Sequence, residues 1–415
     1  MKKTQNKWLA LFTSNFLGVF NDNFLKNSII FVSIAWSLPD WLSQSQLISI
    51  VASCLVLPYL FLSPLGGRLA VRHSKLKVFR FMKLLEILVM ALTCIAFYKQ
   101  WVIMAVVFGF ALGALSCLYS PSKYSLIRDI GGEEGVSFGS GMFETMSFMG
   151  ILLGTFFASF VSDYYSIFLF SIIILGVGVL GYLTVKSIHA VELPVDESES
   201  TTLNPISFLK DNYRFARKYR LLNSAVFGSS SFWLIANMVQ MNVIIHCKNI
   251  YYTSNSVTGI VMGAAAIGIA LGTAITGKLM GEKVNRGIII PAMTGIIISL
   301  FVMAVIPLPF GVFIAFVVLF AFAAGVFQVP CMAMIQQANL GRKRGDTIAY
   351  LNMVNFIYIL IGTALFSLTT LFTNENSFIV FGVMTGVCVL ILLYFLFKYP
   401  EFRQDTKKMF VKKLA

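Results

Sequence analysis

The chain has 415 residues, 58% of them hydrophobic and only 12% charged, with a mean hydropathy of +0.82. That balance is far too apolar for an ordinary soluble domain and reads as an integral membrane protein. The formal net charge of +14 does not signal nucleic acid, because the cations punctuate the gaps between apolar runs instead of gathering on one folded basic face.

A hydrocarbon core about 30 Å thick takes about 20 apolar residues per helix. On that ruler twelve spans are expected, over residues 8–36, 44–62, 78–98, 101–120, 137–160, 164–186, 221–246, 256–277, 287–306, 309–335, 347–372 and 377–398. The basic start, Met1 to Lys7, is followed by no small-residue cleavage site, so the first apolar run is expected to persist as a helix. That run is interrupted in its middle by Phe20-Asn21-Asp22-Asn23-Phe24-Leu25-Lys26-Asn27. A charge near the bilayer centre costs roughly 2.5–3.5 kcal/mol on the insertion scale, so Asp22 should face a protein interior or a watery cavity and have a partner. Lys26, one helical turn on, is the expected partner, with the three asparagines as further donors and acceptors.

The turn after the second span reads Gly67-Arg68-Leu69-Ala70-Val71-Arg72-His73-Ser74-Lys75-Leu76-Lys77. Its counterpart after the eighth span reads Gly277-Lys278-Leu279-Met280 and closes with Lys283 and Arg286, a weak internal repeat that suggests two related halves around a central path. Between spans six and seven, Ser187 to Arg220 begins acidic and serine-rich, from Asp196 to Ser200, and ends basic. It reads as a flexible linker followed by an amphipathic helix drawn toward anionic lipid. With alternate loops on one side, all of the 32 Lys and Arg except Lys26, Lys99 and Lys248 share that side, which places both termini in the cytoplasm. The expected domains are therefore a six-helix bundle over 1–186, a linker over 187–220, a second six-helix bundle over 221–398 and a basic cytoplasmic tail over 399–415.

The polar residues inside the spans are unevenly shared. The first half carries Asp22, Lys26, Glu86 and Glu144, whereas the second carries amides, among them Gln328, Gln336, Asn352 and Asn355. A head group is expected in the first half, with Lys26 meeting a phosphate and Asp22 an ammonium, and apolar walls of the second half are expected to accept an acyl chain; Asn21 and Asn23 and those four amides complete the substrate-binding set. Glu86, one turn from Lys83, reads as a salt-bridge partner, and Glu144 as a carrier of a coupling proton or a structural acid. With Lys123, Arg128, Gly67 and Arg72 on the cation-bearing turns, these two acids make up the coupling or gating candidates. The pairs Gly109/Gly113, Gly150/Gly154, Gly259/Gly263 and Gly268/Gly272 have the spacing that lets helices touch closely. The six cysteines and three histidines are dispersed without metal-ligand spacing, so no metal or other cofactor is expected. No nucleophile elbow, zinc-protease motif or phosphate loop is present, and no catalytic residue is expected.

Twelve spans in a six-plus-six division with these two repeated turns resemble the major facilitator superfamily, here with Val71 at the position that usually bears an acid. The stretch Gly18 to Asn27 is similar to the first helix of bacterial lysophospholipid transporters, some of which are fused to acyltransferase domains. So are Ser120-Pro121-Ser122-Lys123-Tyr124-Ser125-Leu126 with Glu134-Gly135, as the turn after span four, and Phe327-Gln328-Val329-Pro330 with Gln336. The resemblance implies an all-α transporter that rocks two bundles and returns a lysophospholipid to the cytoplasmic leaflet of the bacterial inner membrane. The expected partners are the bilayer and that amphiphile, a monomer is expected, and no nucleic acid is. Two rival readings are a proton-coupled carrier of a polar solute, such as a siderophore, drug or muropeptide, and a polytopic anchor for a separate acyltransferase.

Overall fold

The computed structural model describes residues 2–32, 36, 39, 40, 44–163, 166–195, 202–253, 255–280 and 284–414. Among these, every regular element is a helix. In hydrocarbon a backbone N–H or C=O must find its partner inside its own segment, and a helix meets that demand. Nine helices among the described residues are long and apolar enough to cross a membrane. The remaining three expected spans fall on α1 (Lys2–Val32), α2 (Gln44–Phe61) and α9 (Leu222–Asn249).

The chain divides into two compact units. The first holds α1, α2, α3 (Ser63–Arg72), α4 (Lys75–Tyr98), α5 (Val102–Gly131), the later part of α6 (Val136–Asp163), α7 (Ile167–Lys186), nearly all of α8 (Pro205–Ala216) and the segment Asn339–Met353. Its core is aromatic, with Phe24 stacked on Phe170 at 5.6 Å and Phe170 on Phe97 at 4.0 Å. The second holds α9, α10 (Asn255–Met280), α11 (Ile289–Val305), α12 (Phe310–Gln337), most of α13 (Arg344–Phe372), α14 (Ser377–Lys398), α15 (Pro400–Leu414) and residues 133–148. The units thus differ from the boundaries expected from sequence at two places. The opening of α6 groups with second-half helices, and the opening of α13 groups with first-half helices.

Two expected turns are helical. Most of Gly67–Lys77 belongs to α3 and the start of α4, leaving only His73 and Ser74 between them. Pro64 lies in the first turn of α3, where its missing N–H costs nothing. Ser74 then caps α4 by accepting from Lys77 N at 3.3 Å. The Ser120–Leu126 turn is likewise continuous helix, since α5 runs on through Pro121 to Gly131. The proline frees the Cys117 carbonyl, and α3 lies against it there: a Cβ on Gly66 would sit 3.0 Å from Cys117 O.

The linker expectation is met in part. Residues 187–195 have no regular structure, Asp196–Ser200 lie outside the described residues, and α8 is amphipathic, with Phe208 buried and Ile206 exposed. The basic tail is a docked helix. Arg220 Nη2 donates to Glu401 Oε1 at 2.5 Å, Arg286 pairs with Asp405 at 2.9 Å, and Phe402 is fully buried. The Arg220 hydrogen bonds hold the Glu401 carboxyl below the usual carboxylate range. Of the four glycine pairs, Gly150 and Gly154 press on the backbone of α1 at Phe16 and Phe20, and Gly268 and Gly272 on that of α12 at Val318 and Phe322. Gly259, in contrast, faces open space.

Candidate functional site

The polar residues of α1 meet α4 and α5 inside the first unit, and their pairing differs from the one the spacing implied. Asp22 accepts hydrogen bonds from Ser116 of α5, at 2.9 and 3.1 Å. Lys26 donates to Asn23 Oδ1 at 3.2 Å, and no ion pair joins it to Asp22 among the described residues. Both lie on one helical face and line one small space of about 10 Å³, roughly enough for a single water. The remaining asparagines are fixed by neighbours: Asn21 Nδ2 donates to Ile174 O at 3.0 Å and Asn27 Nδ2 to Thr155 Oγ1 at 3.0 Å.

Two charged residues of α4, Glu86 and Lys83, act on Asp22 with opposite sign. Lys83 and Glu86, expected as a pair, are joined at 2.6 Å with both side chains almost wholly buried. The Lys83 ammonium also lies 4.9 Å from the centre of the Tyr119 ring. It reaches this place because α1 has no side chain at Gly18, where a Cβ would stand 2.9 Å from Lys83 Nζ. Lys123, expected on a turn, is a buried residue of α5, 5.4 Å from the centre of the same ring. Asp22 lies in the field of Glu86, Lys83 and Lys123. Two acids and two lysines thus form a cluster with no formal net charge, and Lys26 is a further cation held by a neutral amide. Ser116 and Tyr119 were not singled out from sequence. Lys83 was, only as the partner of Glu86, and that spacing within an apolar run was the one signal pointing toward them.

The other candidates fall elsewhere. Asn352 donates to Ser120 Oγ at 2.9 Å in the first unit. In the second unit Gln328 Nε2 donates to Ser229 Oγ at 3.0 Å, and Asn355 Oδ1 accepts from Ser230 Oγ at 2.8 Å, so adjacent serines of α9 tie both α12 and α13. Gln336 and Glu144 are buried in that unit.

A second charged constellation surrounds the α3–α4 junction. Asp129 at the end of α5 takes the ammonium of Lys75 and lies 3.6 Å from Arg344 of α13, with all three side chains nearly inaccessible. Glu192, from the linker, accepts from Ser74 Oγ at 2.9 Å, Lys75 N at 2.7 Å and Leu76 N at 3.0 Å, a carboxylate seated on the N-terminus of α4. Arg342 donates to Pro194 O at 2.8 Å and stands 3.9 Å from Glu192. Two acids from distant parts of the chain, Asp129 and Glu192, thus meet the cations around this junction. Gly67 packs on the same segment: its Cβ would fall 2.7 Å from Asp346 Oδ1. Gly277, the repeat counterpart of Gly67, meets Gly141 of α6 inside the second unit, where a Cβ on Gly141 would fall 2.5 Å from Gly277 Cα. Thr145 and Thr273 hydroxyls join beside that contact at 2.8 Å. Gly141→Val is expected to force α6 and α10 apart, at a cost of about 1–3 kcal/mol for overpacking. Spin labels on the two helices should report a longer distance, and an unchanged distance would refute the contact as drawn.

Known proteins were compared with this architecture. A family model described as Major Facilitator Superfamily matches residues 11–363 and 243–413. The lysophospholipid transporter LplT of Photorhabdus laumondii is 25% identical over 373 residues, covering 86% of this chain and 87% of that protein. The transporter of the same name from Klebsiella pneumoniae strain 342 is 24% identical over 372 residues, covering 87% and 88%. Among solved structures, the human organic anion transporter MFSD10 superposes with a TM-score of 0.74 at 12% identity, over 94% of this chain and 99% of its own. The fucose:proton symporter FucP of Escherichia coli gives 0.71 at 13% identity, over 93% and 98%. These two share the fold, and the sequence match spans nearly the whole length: the chain is a multi-pass membrane protein that belongs to the major facilitator superfamily of transporters.

Proposed function

We propose that this transporter moves a lysophospholipid toward the cytoplasmic leaflet of a bacterial inner membrane by alternating access, with both termini in the cytoplasm. The observation that carries the reading is Lys26, a half-buried cation in the middle of a membrane helix. It is bonded to a neutral amide and stands beside a cluster that is already neutral in formal charge. A charge at that depth is retained for a counter-charge, and an ammonium in a water-poor site is a strong point contact for a phosphate. Two of its three donors remain for phosphate oxygens once Asn23 is served. Asp22, facing the same small space, is placed for the ammonium of an ethanolamine head group. The likeness to transporters named for lysophospholipid supports the same cargo, and the asymmetry of the Lys and Arg residues supports the orientation.

Glu144 is the candidate for a coupling proton.

The test is leaflet transfer of labelled lysophosphatidylethanolamine in vesicles containing the purified protein. Asp22→Asn and Lys26→Ala are each expected to lower the rate by about tenfold or more, the equivalent of one lost charge-assisted contact. Transfer at the unaltered rate in both variants would sink the proposal.

A further inference from the structure

We infer that the acyl chain of the cargo rides outside the helices of the first unit, in an apolar groove between α2 and α5 that backs onto Lys26. The inference rests on the lipid reading above and adds a binding subsite to it. The groove has a volume of about 500 Å³ and is walled by Ile50, Ser53, Cys54 and Leu57 of α2 and by Val106, Val107 and Phe110 of α5. That volume falls within the roughly 300–1,000 Å³ of small-molecule sites. Ile50 is 40% exposed, Leu57 41%, Val107 49% and Phe110 41%. On a soluble protein such a row would be a liability. On a membrane span it faces hydrocarbon, where water does not fill a cleft and a lipid chain does.

What distinguishes this cleft from an ordinary boundary-lipid contact is its back wall. Cys54 is shared between the groove and the small polar space that holds Asp22 and Lys26. It is buried, with its thiol 3.7 Å from Val106 O. Gly109, on the inner side, adds no side chain between α5 and Ile29 of α1. A chain in the groove therefore brings its glycerophosphate within about one side chain's thickness of the Lys26 ammonium. Apolar wall and cation are arranged in the order in which a single-chain phospholipid presents tail and head. The inner space is too small, at about 10 Å³, to take the chain, so the tail stays in the bilayer, and the head group reaches Lys26 as that space widens.

The experiment uses the full chain in vesicles of phosphatidylethanolamine and phosphatidylglycerol, with a lysophosphatidylethanolamine carrying a photoreactive group near the end of its chain. Adducts are expected on residues 50–57 and 106–110, competed by unlabelled lysophosphatidylethanolamine and not by the diacyl lipid. Val107→Trp, which fills the groove, is expected to lower both adduct yield and the transfer of long-chain lysolipid by about tenfold, while a hexanoyl lysolipid keeps its rate. Adducts confined to other helices, equal competition by diacyl lipid, or equal loss for long and short chains would each overturn the groove. The mapping in the unaltered protein decides the matter even if the tryptophan variant does not fold. Specific adducts here without any leaflet transfer would overturn the transport reading and leave the groove standing; transfer with adducts elsewhere would do the reverse.

Discussion

Asp129→Asn is expected to free the opening of α13 from the first unit. One carboxylate there serves two cations, Lys75 and Arg344, whose side chains are 0% and 3% accessible. The amide keeps the shape and removes the charge, taking from Lys75 and Arg344 the acid they share. Removing one partner of a buried ion pair costs about 3–5 kcal/mol, and a shared acid should lie at the upper end. If α13 can leave the contact, the strain is relieved by opening instead of by global unfolding, and a shift of that size moves the equilibrium more than a hundredfold. Hydrogen exchange over 339–353 should therefore rise sharply in the variant. Arg344→Met is the control, and a milder effect is expected because Lys75 then keeps Asp129 to itself. Equal protection in Asp129→Asn and the parent protein would show that this carboxylate does not hold the segment.

The second large effect is expected at Lys83. Its ammonium is the partner of Glu86 at 2.6 Å, and the other Glu86 oxygen has no hydrogen-bond partner among the described residues. Lys83→Met strands that carboxylate in an apolar helix bundle and removes a cation from the face of Tyr119. A loss of about 3–5 kcal/mol in unfolding free energy is expected for the single variant. The double variant Lys83→Met with Glu86→Leu should recover most of it, because replacing a whole buried pair by apolar groups of like volume is often neutral or better. Thermal unfolding of purified single and double variants provides the measurement. If the double variant is no more stable than the single one, the pair is not an isolated unit and its coupling to Asp22 must carry the difference. Stability and transport should also separate: the double variant folds yet changes the field around Asp22, so its transfer rate stays depressed.

Much of this was legible before any coordinates. The spans follow from apolar run length, because a bilayer sets the length of whatever crosses it. The α4 ion pair followed from a lysine and a glutamate three residues apart in an apolar run. The match to lysophospholipid transporters rested on Gly18 to Asn27, where asparagines and charges occupy positions that lipid alone would not tolerate. The two turns were misjudged for a shared reason: glycine, proline and cations mark a helix end in water, yet Pro64 sits harmlessly in a first turn and Pro121 is bridged by the packing of α3 on α5. Likewise the stretch read as a basic tail is a helix whose two acids take Arg220 and Arg286.

Partnership was not legible. Sequence spacing offered Lys26 to Asp22, since residues one turn apart share a face. The fold gave Asp22 a hydroxyl from α5 and the field of Glu86 and of two lysines from α4 and α5, while the Lys26 ammonium bonds an amide and feels Asp22 only through space. Asp129 and Glu192, which take Lys75 and the N-terminus of α4, arrive from the end of α5 and from a linker more than sixty residues further on. By itself the sequence determined that this chain crosses a membrane many times as helices, which charges lie at depth and which family it resembles, because those properties depend on local composition and run length. Only the tertiary structure decided which charge answers which, because a buried ion takes the counter-charge that packing brings within a few ångströms, and distance along the chain does not limit that choice.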